Sequence, residues 1–258
     1  MMKRWGIWWR ALVDLLLPRV CLVCGRKLGL QEEHLCLHCL ADMPRTYFWN
    51  RSHNAMADKF NSIIQDGLQD SWPDMLEEDI KAFPPFVNYA YACSLFFYKD
   101  EGDYRHILYS LKYGGNTEAG EYFGRMLGGQ MAKAAHFADV DAVVPVPLHW
   151  TRRWKRGYNQ AESIARTVAS ELGAELRTDL LYRRRRTSTQ TKVDVDKKGR
   201  NVMGAFEAMK SKNSPIHIVL VDDLFTSGST LYACYSAIKE AYPCTRISVA
   251  TLGYVGRP

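Results

Sequence analysis

Two adjacent aspartates, Asp222 and Asp223, stand where an apolar run ends near the C-terminus. The run, IHIVLV at 216–221, is typical of a strand buried in a parallel sheet, because such strands are covered on both faces. Ligands of open α/β sheets bind beyond the carboxyl ends of the strands. We therefore expect the two carboxylates to lie at this rim of the sheet, where they can accept hydrogen bonds from adjacent hydroxyls of a sugar.

The loop after the aspartates has the composition of a phosphate site: Thr226, Ser227, Gly228, Ser229 and Thr230. It offers consecutive backbone N–H groups, hydroxyls and a glycine, directly before a predicted helix whose N-terminus favours an anion. A ribose with a 5′-phosphate would satisfy carboxylates and loop together. The alternative, an ordinary strand-to-helix turn with helix caps, explains a Thr or a Ser but not the two aspartates. A Walker phosphate loop is excluded, because no GK[ST] follows a glycine-rich turn.

The elements that must position these residues alternate between strands and helices. Apolar runs predict strands at 89–98, 140–148, 216–221 and 246–255, and helical periodicity predicts helices at 103–113, 121–137, 157–172 and 229–241. Such alternation predicts an α/β fold with a parallel sheet that helices cover on both faces.

A second group with chemical potential is a pair of CxxC motifs near the N-terminus, Cys21 with Cys24 and Cys36 with Cys39. Four thiolates on two tight turns satisfy tetrahedral Zn²⁺, and the lack of an open position predicts a structural role. Two disulfides are the alternative, which a reducing compartment disfavours. Two nearby histidines are superfluous to a four-cysteine site, and three scattered cysteines are expected to be buried thiols: His34 and His38, and Cys93, Cys234 and Cys244.

Composition limits the class of protein. The 258 residues are 47% hydrophobic and 24% charged with a net charge of +6, which is typical of a soluble globular protein with a preference for anionic ligands or nucleic acid. Clustered cysteines favour a reducing compartment, so we expect a cytoplasmic protein. Residues 1–20 have the spacing of an amphipathic helix that docks on the protein, with a membrane-surface helix as the alternative. No stretch has the roughly 18 apolar residues of a membrane span.

Two segments lack the periodicity of the rest. Residues 45–88 are predicted to be a connector, with a possible short helix at 74–83. Residues 181–201 are highly charged and nearly devoid of apolar side chains. The second segment is either a solvated loop or a functional lid, because loops of this length are unusual in compact domains.

Several motifs resemble known families. The sequence VLVDDLFTSGST at 219–230 looks like the phosphoribosyl pyrophosphate (PRPP) signature of type I phosphoribosyltransferases. Together with VVPVPLHWTRRWKRGYNQAE, QTKVDVDKKGRNVMGAF and the two CxxC motifs, it resembles the competence protein F (ComF) family, also called amidophosphoribosyltransferase-like. The resemblance implies a type I phosphoribosyltransferase-like sheet at 89–258, the connector at 45–88 and a zinc ribbon with the N-terminal helix at 1–44.

The resemblance also implies site residues. Asp222 and Asp223 would hold the ribose hydroxyls, and residues 226–230 would hold the 5′-phosphate. Three basic residues would lie near the pyrophosphate: Lys112, Arg152 and Arg153. Residues 183–201 would close over the ligand. The family's RGxNQ motif comprises Arg156, Gly157, Asn159 and Gln160. Two roles remain open for these residues: contact with the ligand, or helix capping and packing.

The functions that these features imply fall into three classes. The first is a phosphoribosyltransferase that uses PRPP and Mg²⁺, with an acceptor that no segment identifies. The second is a PRPP-binding protein of DNA uptake that contacts single-stranded DNA or other uptake proteins through its basic residues. The third is a regulator that senses PRPP without turning it over. The sequence assigns no catalytic residue and no oligomeric state.

Overall fold

The computed structural model of the chain describes residues 18–71, 89–148, 151, 154, 156–184, 204–210 and 214–257. Three predicted features lie partly or wholly outside these residues: the N-terminal amphipathic helix, the short helix at 74–83, and the charged loop beyond Arg184.

A five-stranded parallel sheet forms the centre of the molecule, in the order β1-β7-β6-β2-β3. Its strands are β1 (Ala92–Tyr98), β2 (Ala142–Pro145), β3 (Glu175–Leu176), β6 (His217–Phe225) and β7 (Arg246–Val255). A separate antiparallel pair consists of β4 (Leu181–Arg183) and β5 (Phe206–Ala208). The predicted α/β class with a parallel sheet is confirmed.

Two groups of helices flank the sheet. The helices described are α1 (Leu37–Ala41), α2 (Ala55–Ser71), α3 (Arg105–Tyr113), α4 (Thr117–Met131), α5 (Gln160–Leu172) and α6 (Ser229–Ala241), with short 3₁₀ turns at Phe48–Asn50 and Ala135–Phe137. Helices α4 and α5 pack on each other and α5 packs on β2 and β6, whereas α2 and α6 pack on each other with α2 against β1 and α6 against β6. The buried faces of both groups meet the apolar strands and form one continuous core.

The crossing of α4 and α5 is close because glycines face α5. A Cβ atom at Gly124 would lie 2.7 Å from the carbonyl oxygen of Ile164, which is too near for any side chain. This close approach sets the position of α5 over the sheet, and its first residue, Gln160, follows the N-cap Asn159 near the carboxyl end of β2.

Helix α2 is a departure from the predicted connector. The side chain of Asn54 accepts hydrogen bonds from the N–H groups of Met56 and Ala57 at the start of this helix, and its amide donates to the carbonyl of Ala92 at 2.9 Å. The rings of Phe60 and Phe225 meet at 6.2 Å between centroids. The predicted connector therefore contains a 17-residue helix that belongs to the core of the α/β fold.

The ends of two strands also differ from the prediction. Strand β6 continues to Phe225 rather than ending at Val221, because it remains paired with β7 as far as Phe225 opposite Tyr254. The two aspartates therefore lie within the last part of the strand. Strand β2 is only four residues long, Ala142–Pro145, within the predicted strand at 140–148.

Candidate functional site

A cleft of about 890 Å³ opens at the carboxyl end of the sheet. The end of α3, the end of β2, the start of α5, the end of β6 and the start of α6 contribute to its walls. Of the predicted ligand residues, Asp222, Asp223, Thr230 and Lys112 line it together, and so do Arg156, Asn159 and Gln160 of the RGxNQ motif. Tertiary structure thus gathers these residues from three separate stretches of sequence, around 112, at 156–160 and at 222–230.

The two aspartates differ in their surroundings. Both are half-buried. Asp222 accepts a hydrogen bond from the backbone N–H of Asp223 at 2.8 Å. Burial, and then the neighbouring charge of Asp223, raise the pKa of Asp222 from 3.8 to about 7. Asp223 instead meets the ammonium group of Lys112, at 3.1 Å from Oδ2.

The loop after β6 is shaped by one glycine. Gly228 has a φ of +80° and is buried, and a Cβ atom there would lie 2.7 Å from Ile63 and 2.9 Å from Phe225. Only glycine fits this turn, which delivers the chain into α6. The hydroxyls of Ser227 and Ser229 lie 3.0 Å apart, and the Ser227 hydroxyl accepts a long hydrogen bond of 3.5 Å from the N–H of Ser229, whereas the N-cap residue Gly228 makes no side-chain bond. The N-terminal N–H groups of α6 are thus presented beside the carboxylates, an arrangement that suits an anion.

Helix α2 supports this loop from the outside. The ammonium group of Lys59 donates to the carbonyl of Thr226 at 2.7 Å and lies 5.7 Å from the centre of the Phe225 ring. Sequence reasoning did not identify Lys59, because no local motif surrounds it and its partner is 167 residues away. The spacing of Met56, Phe60 and Ile64 is the one signal that predicts the helix carrying it.

The RGxNQ motif divides its roles between its members. Asn159 is the N-cap of α5: its side chain accepts from the N–H of Ala161 and donates to the carbonyl of Val146 at 3.1 Å. Gly157 has a φ of +80°. Arg156 donates to the side chain of Gln160 at 3.0 Å, and its guanidinium lies 5.8 Å from the Tyr113 ring. Capping therefore explains Asn159, whereas Arg156 and Gln160 face the cleft.

Two predicted pyrophosphate residues, Arg152 and Arg153, lie outside the described residues, and so does the charged loop from residue 185 to residue 203. The described beginning of that loop leaves β4 beside the cleft. Arg183 lines the cleft and stacks on the Phe206 ring at 5.1 Å, whereas Arg184 forms an exposed ion pair with Glu207 at 3.0 Å.

The four N-terminal cysteines converge as the spacing predicted. The Sγ atoms of Cys21, Cys24, Cys36 and Cys39 all lie within 4.8 Å of one another, and those of Cys24 and Cys36 are 3.7 Å apart. Tetrahedral Zn²⁺ with Zn–S bonds of about 2.3 Å requires sulfurs roughly 3.8 Å apart, so the cluster fits this metal. Burial opposes ionisation of Cys21, but the N–H groups of Cys24, Cys36 and Val23 outweigh it and lower its pKa to about 7. A four-cysteine cluster of this kind fits a zinc ribbon.

The cysteine module is attached to the α/β fold. The hydroxyl of Tyr104 donates to the carbonyl of Cys39 at 2.7 Å, and Leu35 and Met43 are buried in the same core as the sheet. The two histidines stand aside from the cysteines, as expected: His34 packs against the Tyr122 ring and His38 lies 3.8 Å from Asp42. Because both histidines contact other residues, the four cysteine sulfurs form the ligand set by themselves.

The remaining cysteines fulfil the prediction in two cases of three. Cys93 and Cys234 are buried, and burial raises the pKa of both thiols. Cys244 is exposed, so its predicted burial is wrong. It lies in the turn between α6 and β7, where the backbone runs over the surface.

None of the helices in the described part of the chain has the length and apolar content that a membrane span requires.

Comparison with known proteins supplies independent information. No protein-family model matches the chain. The chain is 37% identical over 93 residues to competence protein F of Haemophilus influenzae. The matched residues cover 35% of this chain and 41% of that protein. It is 30% identical over 128 residues to the DNA utilization protein YhgH of Salmonella typhi, and 28% identical over 128 residues to that of Escherichia coli, in both cases 48% of this chain and 56% of the relative. The chain thus spans about half the length of the curated relatives that it matches. These similarities support the resemblance that the motifs indicated: the chain is similar to a competence protein F and to DNA utilization proteins.

Proposed function

We propose that the cleft binds PRPP together with Mg²⁺ and supports phosphoribosyl transfer to an acceptor that is not yet assigned. The observation that carries this proposal is the juxtaposition of two carboxylates and a helix N-terminus at the end of one strand, in a cleft that Lys112 and Arg156 also line. A sugar phosphate matches that pairing, because its hydroxyls can donate to the carboxylates and its phosphate can accept from the helix N-terminus. The sugar hydroxyls and the phosphate of a ribose 5-phosphate would thereby be held at once.

The roles follow from the chemistry of each group. Asp222 and Asp223 accept hydrogen bonds from the ribose hydroxyls, and the loop at 226–230 donates N–H and hydroxyl groups to the 5′-phosphate. Lys112, with Arg152 and Arg153, offsets the charge that develops on pyrophosphate as its bond to the anomeric carbon breaks. Mg²⁺, when bound, supplies further charge stabilisation to the same leaving group.

The raised pKa of Asp222 makes this binding dependent on pH. Near pH 7 the carboxyl exists in both protonation states, and a ligand that needs the carboxylate shifts it toward ionisation. Burial, the first cause of the raised pKa, is itself a consequence of placing the residue inside β6. A poised carboxyl at the mouth of a cleft is common at functional sites.

Calorimetric titration tests the proposal. PRPP with Mg²⁺ should bind the wild-type protein, and the double variant Asp222→Ala with Asp223→Ala should not bind it while it retains the circular dichroism spectrum of the fold. Equal affinity in the two proteins would refute the ligand assignment. Release of pyrophosphate on addition of candidate acceptors then separates a transferase from a protein that only senses PRPP.

A second function is favoured by the names of the relatives, which refer to competence and to DNA utilization. In this proposal the chain serves DNA uptake in the cytoplasm, where reduced cysteines hold a structural zinc ion, and single-stranded DNA contacts the basic residues. Binding of a labelled single strand should weaken steeply with salt, because phosphate contacts release counterions. Arg183–Arg186→Ala should weaken it further, and saturating PRPP should compete if the two ligands share the cleft. Absence of binding at low salt would leave PRPP as the proposed ligand.

The division of the chain is likewise a proposal. The cysteine module at 1–44 and the phosphoribosyltransferase-like part at 89–258 would be joined by residues 45–88. The packing of α2 on β1 and α6 means that part of this joining segment also completes the fold of the larger unit.

A further inference from the structure

Helix α3 presents aromatic rings on its exposed side. The aliphatic residues of this helix are buried: Ile107, Leu108 and Leu111. His106, Tyr109 and Tyr113 are exposed, and their spacing of i, i+3 and i+7 places them on one side of the helix. The exposed side of a surface helix ordinarily carries charged and polar residues instead. These three residues are named the aromatic stripe.

The two tyrosines of the aromatic stripe form one continuous surface. Tyr109 is 50% exposed and Tyr113 is 74% exposed, and their ring centroids lie 5.8 Å apart with an angle of 36° between the planes. Single exposed aromatic residues are common on soluble proteins, whereas adjacent ones are typical of surfaces that bind another molecule. The stripe also leads into the cleft, since Tyr113 lines the cleft and Tyr109 lies one helical turn outside it.

Positive charge accompanies the aromatic stripe. The sequence of α3, RHILYSLKY, has two basic residues and no acidic one. The guanidinium of Arg156 lies 5.8 Å from the centre of the Tyr113 ring. Trp154, two residues before Arg156, is 87% exposed and belongs to the basic run RRWKR at 152–156. Aromatic rings interleaved with cations suit a polyanion whose repeating units carry flat rings.

We propose that the aromatic stripe binds a single-stranded nucleic acid, with successive bases stacked on Tyr109 and Tyr113. Every nucleobase has a flat π face, so such binding tolerates any sequence. A duplex does not suit the stripe, because its bases are already stacked and paired with one another. Aromatic residues are also frequent in interfaces between proteins, but the lack of acidic residues in α3 and the basic run around Trp154 favour a polyanion.

This inference rests on the second proposed function and deepens it, because it assigns the contact that distinguishes a single strand from a duplex. The arginines at 183–186 supply charge, which attracts the phosphates of any nucleic acid. The aromatic stripe supplies stacking, which requires unpaired bases. A strand that reaches Tyr113 also covers the mouth of the cleft, so PRPP competes at that end of the stripe and not at Tyr109.

Fluorescence anisotropy with the full chain at low salt tests the aromatic stripe. The probes are a labelled oligothymidylate, an oligouridylate of the same length, a DNA duplex of that length, and an abasic DNA strand that keeps the phosphates but lacks the bases. Tyr109→Ala removes one ring, and Tyr109→Phe keeps the ring without its hydroxyl. Tyr47→Ala is the matched control, since Tyr47 is 55% exposed and lies outside α3.

We expect the wild type to bind both single strands more tightly than the duplex and the abasic strand. Tyr109→Ala should weaken single-strand binding at least roughly fivefold, as loss of one stacked base predicts. The slope of affinity against salt should stay the same, because no phosphate contact is removed. Tyr109→Phe and Tyr47→Ala should stay within about twofold of the wild type, since the first keeps the ring and the second leaves the stripe intact.

Two readouts complete the comparison. The PRPP affinity and the circular dichroism spectrum of Tyr109→Ala should match those of the wild type, because the ring is exposed and does not line the cleft. A preference between the DNA and RNA strands identifies the nucleic acid that the stripe takes, since only RNA has the 2′-OH.

Several results would overturn the inference. Tyr109→Ala could bind the strands as tightly as the wild type, the abasic strand could bind as tightly as the intact one, or the wild type could bind no strand at low salt. Self-association of the wild type that Tyr109→Ala abolishes would assign the aromatic stripe to a second copy of the chain instead.

The fate of the proposed functions is separable from that of the aromatic stripe. Strand binding that Arg183–Arg186→Ala removes and Tyr109→Ala retains would contradict the stripe and leave the second proposed function standing. Strand binding that requires Tyr109, in a protein that does not bind PRPP, would support the stripe and contradict the first proposed function.

Discussion

The ammonium nitrogen of Lys112 lies 3.1 Å from Oδ2 of Asp223, so an ion pair joins the last turn of α3 to the end of β6. The two side chains are only 26% and 14% exposed, which shields the pair from solvent. A bound Mg²⁺–PRPP complex would offer both residues new partners, a cation for the carboxylate and an anion for the lysine. The ion pair holds both charges at the wall of the cleft.

Removal of the lysine charge tests this relationship. Lys112→Met should weaken PRPP binding by roughly tenfold, whereas Lys112→Arg should retain most of it, because the arginine keeps the charge. The free energy of unfolding should fall by no more than about 1 kcal/mol, since partly exposed ion pairs contribute little. Calorimetry and urea unfolding measure the two quantities. Equal PRPP affinity in the methionine variant and the wild type would contradict the assignment.

Asp222 should make the folded protein less stable as the pH rises. Its pKa is about 7 in the folded state and 3.8 when unperturbed, so between these values the folded state binds more protons than the unfolded state. The free energy of unfolding therefore falls as the pH rises through this window. Asp222→Asn should stabilise the protein at about pH 8, where it removes an unfavourable charge, and should stabilise it less at about pH 5. The gain at about pH 8 should be only on the order of 1 kcal/mol, because solvent screens the half-buried charge.

The same variant should lose affinity for PRPP, so stability and binding should change in opposite directions. Urea unfolding at the two pH values gives the first quantity and calorimetry gives the second. Asp223→Asn is the comparison: it removes the charge that repels Asp222 but also the partner of Lys112, so its gain in stability should be smaller. Destabilisation by Asp222→Asn at the higher pH would show that burial does not raise the carboxyl pKa.

The four cysteines should hold one zinc ion per chain. Cys36→Ser with Cys39→Ser should release it and unfold the cysteine module first, because the metal supplies much of the folding free energy of so small a unit. Metal analysis and hydrogen exchange measure these effects. Cys93→Ser is the control at a buried cysteine outside the cluster and should leave the zinc content unchanged. Protein purified without chelators that contains no zinc would refute the prediction.

His217 should make the protein sensitive to acid. It is 1% exposed, with Nδ1 at 2.8 Å from Asp139 and Nε2 at 2.8 Å from the hydroxyl of Ser248. Burial lowers its pKa from 6.5 to about 4, so between these values the unfolded state binds more protons and stability falls as the pH falls. The loss across this window should approach roughly 3 kcal/mol.

Comparison with His217→Gln isolates this contribution, because the other titrating groups are common to both proteins. The slope of unfolding free energy against pH should be shallower in the variant between about pH 6.5 and pH 4.5. Parallel slopes in the two proteins would show that protonation of His217 does not contribute to acid unfolding.

Lys59 should affect binding more than stability. Its ammonium group donates to the carbonyl of Thr226 from an exposed position on α2. Lys59→Met should weaken binding of ribose 5-phosphate by roughly threefold, since the loop at 226–230 loses one support, with a change in unfolding free energy of about 0.5 kcal/mol or less. Lys133→Met, a change to an exposed lysine far along the chain from the loop, is the control. A Lys59 variant that binds like the control would show that the loop holds its shape without α2.

Much of the fold could be predicted from local pattern. The period of the apolar residues predicted strands β1, β6 and β7 and helices α3, α5 and α6, because side-chain direction repeats within a few residues along the chain. The spacing within each CxxC motif predicted the metal cluster for the same reason. Helix α2 was missed although Met56, Phe60 and Ile64 recur at helical spacing, and the end of β6 was placed early because polar aspartates resemble the start of a loop.

What the sequence by itself determined is therefore the set of local elements, the two CxxC turns and the order DDLFTSGST that joins a strand to a helix. Tertiary structure alone decided that Lys112 meets Asp223, that Lys59 reaches Thr226, and that Asp222 is buried enough to raise its pKa. Each of these depends on which distant elements exclude water from a group or bring a partner within hydrogen-bond distance. Burial and pairing of that kind arise only when the helices have packed on the sheet, so no short stretch of sequence contains them.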